Sequence, residues 1–91
     1  MKNNFLIRMM TWEDDHEYPT MIKAFYSKHI TELLKLYITA KENEIIINIP
    51  KENEGHSKFD GREAYVTDIQ INFGGNESIT CLDVYVEVIN I

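Results

Sequence analysis

The chain of 91 residues has a single cysteine, Cys81, so no intramolecular disulfide can form. That fits a reducing compartment, and a cytoplasmic location is the expectation. Long apolar runs are missing too. The Phe5–Met10 run is short and broken by Arg8, which argues against both a leader peptide and a membrane span. Positive charge is scarce: Lys plus Arg is 9 against 15 for Asp plus Glu, a net charge of −6. Such a chain repels phosphate backbones, so direct nucleic-acid binding is not expected. A basic protein surface is the natural counterpart instead. Alanine is rare while Ile, Asn, Lys and Glu are abundant, a bias that fits AT-rich codons such as those of low-GC bacteria and their phages.

What is present reads as one α+β domain spanning residues 1–91, because two cores in so short a chain would each be too small. Residues Phe5 to Thr11 alternate as a strand. Trp12 ends it, and Glu13-Asp14-Asp15-His16-Glu17 follows as a dense polar loop. Pro19, a good first-turn residue, and Thr20, a candidate cap, open what reads as a helix from Met21 to about Lys41. At 100° per residue its apolar stripe holds Ile22, Phe25, Tyr26, His29, Ile30, Leu33, Leu36, Tyr37 and Ala40. Leu34 and Ile38 fall beside the stripe, towards solvent. Ile45 to Ile49 is β-branched and bounded by Pro50, hence a buried strand. A polar loop from Lys51 to Arg62 leads to two alternating strands, Glu63–Phe73 and Ile79–Ile89, joined through Gly74-Gly75-Asn76-Glu77. The order β-α-β-β-β predicts a two-layer sandwich: a four-stranded, mostly antiparallel sheet with one long helix on one face.

The last hairpin carries the sharpest expectation. If Phe73 pairs with Ser78, then Tyr65, Thr67, Ile69, Ile71 and Phe73 share the helix-facing side with Leu82, Val84, Val86 and Val88. The other side holds Asp68 directly across from Asp83, with Tyr85 and Glu87 beside them. Like charges placed so are destabilising, and no Lys or Arg follows Arg62 to relieve them. Glu63, Asp68, Glu77, Asp83 and Glu87 give residues 63–91 a charge of −5. An acidic sheet face is either solvated surface or a docking face, and Tyr85 within it favours docking.

A second candidate is the loop from Trp12 to Tyr18. Glu13, Asp14, Asp15 and Glu17 could hold arginines of a partner between two aromatic anchors, or could simply favour a helix N-terminus. Asp14, Asp15 and His16 make a poor metal set, since consecutive residues rarely all point inward, so no metal and no cofactor is expected. His29, in the middle of the stripe, reads as a buried neutral histidine, and His56 as a solvated loop residue. Cys81 sits among acidic groups that raise its pKa, which makes it a weak nucleophile. An Asp68/Asp83 acid–base dyad would need a cleft that an open sheet face does not supply. Gly74-Gly75 precedes no helix and is no phosphate loop.

These features point to a non-enzymatic binding protein. In size, charge and composition the chain is similar to phage anti-defence proteins, including anti-CRISPR proteins. That likeness implies a stoichiometric inhibitor docking on a basic, nucleic-acid-binding surface of a partner. Two further readings stand beside it. One is an immunity protein that neutralises a nuclease toxin. The other is a structural or assembly protein that self-associates, as a homodimer, through Leu34 and Ile38 or an unpaired sheet edge.

Overall fold

The computed structural model describes residues 5–13, 17–51, 57–73 and 79–89. The elements run β1 (Phe5–Thr11), β2 (Thr20–Ser27), α1 (Ile30–Glu42), β3 (Ile46–Asn48), a short 3-10 turn (Ser57–Phe59), β4 (Glu63–Phe73) and β5 (Ile79–Val88). Five strands form one sheet in the order β2-β1-β5-β4-β3. β1 and β5 run parallel, and the other neighbours are antiparallel. The α+β class therefore holds, with one strand more than expected and a mixed sheet.

The additional strand comes from the N-terminal third of the expected helix. Thr20, Ile22, Phe25 and Tyr26 are β-branched or aromatic and suit a pleated surface. Antiparallel pairing with β1 aligns Ala24 with Arg8 and Tyr26 with Leu6. Pro19 thus precedes an edge strand, where its missing N–H is tolerated, and Thr20 begins the strand instead of capping a helix. A bulge opposite Met9/Met10 leaves both Ile22 and Lys23 fully buried. The strand gives way to α1 at Ser27, whose Oγ accepts the backbone N–H of His29 at 3.0 Å. At the far end Asn43 terminates the helix and Glu44 adopts φ 52°, the left-handed turn-off conformation.

The shorter helix re-phases its stripe. Ile30, Tyr37 and Ala40 are buried, while Leu33 and Leu34 pack partly buried against the core. Leu36 is exposed, as are Tyr26, now on β2, and His29, at the helix N-terminus near Glu32. These three were expected inside because a stripe drawn across a strand–helix boundary mixes two periodicities. On the core side of the sheet lie Ile7 and Met9 of β1, Ile22 of β2, Leu82, Val84 and Val86 of β5, and Ala64 and Val66 of β4. Ile49 and Phe59 enter from the connection that follows β3. Ile45 and Ile46 remain exposed, so β3 is a short edge and not a buried strand. Asp60, beside Phe59, receives the ammonium of buried Lys23 at 2.5 Å. Among the described residues, no helix is long and apolar enough to cross a membrane.

Register in β4–β5 also departs from expectation. Asn72 pairs with Cys81, Gln70 with Asp83 and Asp68 with Tyr85; beyond Thr67 the pairing resumes one residue out of step, with Val66 opposite Val86. Thr67 is the extra residue of a β-bulge, and such an insertion reverses which side chains face the core. Hence Ala64 and Val66 point inward where Tyr65 and Thr67 were expected. The segment Gly74–Glu77 lies outside the described residues.

Candidate protein-binding face

The face of the sheet turned away from α1 is built by alternation. Leu6, Arg8, Met10 and Trp12 on β1 and beyond lie beside Cys81, Asp83, Tyr85 and Glu87 on β5. At its centre is an ion pair. Arg8 Nε donates to Asp83 Oδ1 at 2.7 Å and Arg8 Nη2 donates to Oδ2 at 2.8 Å, a bidentate arrangement. Asn72 Nδ2 donates to Oδ2 at 3.2 Å, and the Cys81 thiol to Oδ1 at 3.4 Å. The side chain of Asp83 is only 7% exposed. Burial alone would raise its pKa. The Arg8 hydrogen bonds, the thiol, the Arg8 charge and Asn72 together outweigh that and hold the carboxyl below its ordinary range. The same surroundings push the Cys81 thiol up, through burial first and then through Asp83.

Asp83 is therefore buried and paired with Arg8, where an exposed carboxylate repelled by Asp68 was expected. Gln70 stands across from it, and its cation comes from β1, a strand distant in sequence but adjacent in the sheet. The absence of Lys and Arg after Arg62 misled because it considers only local sequence. Asp68 lies at the β4 edge, where its Oδ1 accepts the N–H of Ile69 at 2.9 Å. The two carboxylates are not brought together, so the geometry supplies no dyad.

Below the ion pair the face becomes aromatic. Trp12 stacks on Tyr85 with ring centroids 6.5 Å apart and planes 16° apart. Trp12 is 60% exposed. Met10 is the cross-strand neighbour of Tyr85 on one side and of Met21, exposed on β2, on the other. Exposed Tyr26 completes the β2 flank. Acidic groups lie next to Trp12 in space, through Glu87, and in the chain, through Glu13. Glu87 is exposed at the end of β5, Glu17 is exposed before β2, and Glu13 accepts from Thr20 Oγ1 at 3.3 Å. The segment between Trp12 and Tyr18 is thus a strand-to-strand connection; Asp14, Asp15 and His16 lie outside the described residues.

The other candidates fall elsewhere. Glu63 and Tyr65 are at the β3 end of β4, and Tyr65 lines a shallow depression with Lys41, Glu44, Thr67 and Glu87. Leu34 and Ile38 lie along a second groove, between α1 and the β4 edge, with Asp68, Ile69 and Ile71. The Trp12–Tyr85 stack went unpredicted as a pair because it depends on the parallel β1–β5 contact, which no local signal announces. No family model, curated protein or solved structure matches the chain.

Proposed function

We propose that the chain is a non-enzymatic binding protein that docks on a basic surface of a protein partner through the sheet face opposite α1. The observation that supports this is the Trp12–Tyr85 stack. Covering the exposed Trp12 ring removes apolar surface from water, and stacking on Tyr85 already orders that ring before any partner arrives, which reduces the entropy lost on docking. Glu13, Glu17 and Glu87 around it form a polar rim of one sign, suited to Lys- and Arg-rich surfaces and to electrostatic steering. Asp83 contributes from beneath: saturated by Arg8, Asn72 and Cys81, it holds the face rigid and is not available as a base.

Surfaces that bind nucleic acid are basic by necessity, so an inhibitor of a nucleic-acid-binding protein, whether of the anti-defence or the immunity kind, is the reading that the charge favours. The test is retention of host-lysate proteins on immobilised chain, compared with Trp12→Ala and with Glu13→Gln/Glu87→Gln. We expect retained proteins to be basic, to be lost with Trp12→Ala, and to elute at lower salt with the double variant. An identical retained set for all three would overturn the assignment to this face.

A further inference from the structure

β4 is 11 residues long, but β3 covers its outer edge only at Glu63–Tyr65. Among the described residues, no strand pairs with the outer edge from Val66 to Phe73. Ile69 N–H turns outward to Asp68 Oδ1, and ladder alternation then turns the N–H and C=O of Ile71 and Phe73 outward as well. The stretch Ile69–Phe73 (IQINF) has high β propensity and no charge, proline or glycine. An edge of this kind is a template for strand addition. Beside it runs the groove whose walls are Leu34 and Ile38 on α1 and Ile69 and Ile71 on β4. Phe73, at the end of the edge, is 61% exposed.

We infer that this edge is a self-association site, taken by β4 of a second copy running antiparallel about a two-fold axis at Ile71. Three features select a second copy over a foreign strand. The pairing is self-complementary: Ile71 meets its own equivalent, Ile69 meets the second copy's Phe73, and Gln70 meets the second copy's Asn72, so amide faces amide and no like charges oppose. Asp68, whose carboxylate occupies the Ile69 N–H, ends the ladder at that pair, where the Ile69 carbonyl still accepts from the second copy's Phe73 N–H. Finally, the two-fold sets the α1 helices side by side and antiparallel. Leu34 and Ile38 of both copies then close over the paired strands. The result is a continuous ten-stranded sheet whose two Trp12–Tyr85 faces look the same way. This inference does not rest on what those faces bind.

The experiment is sedimentation equilibrium of the full chain over a wide concentration range, with circular dichroism as the folding control. The expected mass rises from 10.7 kDa to twice that value. Phe73→Lys and Ile38→Lys both change exposed side chains. Each is expected to weaken dimerisation roughly tenfold or more, because each would bury an uncompensated charge in both copies. Tyr26→Lys, on the opposite edge strand β2, is expected to leave the dimer intact. A wild-type chain that stays monomeric throughout would overturn the inference. So would a dimer that survives both Phe73→Lys and Ile38→Lys, or one dissolved by Tyr26→Lys.

Discussion

Asp83 joins three strands: its own β5, β1 through Arg8 and β4 through Asn72. Asparagine in its place keeps the shape but loses the charge-assisted bidentate pair. Asp83→Asn should therefore lower unfolding stability by roughly 1.5–3 kcal/mol, towards the lower end because Arg8 retains some solvent. Urea denaturation measures this. Asp68→Asn, at an exposed carboxylate, should stay within about 0.5 kcal/mol. The pH dependence follows from the depressed carboxyl. Its stabilisation is complete above the ordinary Asp value of about 3.9 and is lost as pH falls through the lower folded value. The acid limb of the wild-type stability profile should accordingly be steeper than that of Asp83→Asn. At the other extreme, burial raises the Tyr37 phenol to about 12. The unfolded chain then releases this proton first, from about pH 10 upward, so stability should fall between about 10 and 12, and Tyr37→Phe should remove that part of the loss. Glu44, at φ 52°, carries a strain that glycine would relieve. Glu44→Gly should raise stability by about 0.5–1 kcal/mol, the left-handed penalty less the added freedom of the unfolded chain.

At the scale of elements, Lys23 shows how β2 is locked down. Two adjacent residues, Ile22 and Lys23, point into the core at the bulge, and the ammonium is neutralised by Asp60 from the turn after β3. Asp60→Ala should cost roughly 1.5–3 kcal/mol in chemical denaturation, since it removes a charge-assisted hydrogen bond from a buried ammonium. Such features explain what was legible in the sequence. β1, β4 and β5 were readable because their alternation is long and bounded by turn residues. Most of α1 was readable from Ile30, Leu33, Tyr37 and Ala40. β2 was not, because Ile22, Phe25 and Tyr26 satisfy a helical spacing as well as a strand propensity, and only pairing with β1 decides between them. The position of Asp83 was legible only as a face, not as a depth. Pairing of Phe73 with Ile79 and a second irregularity at Asn72/Phe73 together moved its partner from Asp68 to Gln70, and its neutralising Arg8 belongs to a strand 75 residues earlier. Trp12 and Tyr85 each stood out in the sequence as candidate partner-binding residues; their stacking followed from the parallel contact alone.

At the scale of the whole molecule, the net charge of −6 acts on the two proposed contacts with opposite sign. Docking on a basic partner draws on attraction between unlike charges, whereas pairing two copies of an acidic chain works against repulsion between like ones. Raising ionic strength from about 0.01 to 0.15 M shortens the screening length from about 30 to about 8 Å. Both long-range effects shrink over that range. Self-association through the β4 edge, whose Ile69–Phe73 stretch is uncharged, should tighten as repulsion is screened. Association with the basic partner should slow, mainly in its on-rate. Sedimentation equilibrium and stopped-flow association on the same protein, across the same salt series, read the two separately. Dimerisation that weakens with salt would mean that attraction between unlike charges at the contact outweighs the repulsion. A partner on-rate indifferent to salt would leave Trp12, Tyr85 and Met21 as the whole of the recognition, with the acidic rim reduced to solvated surface.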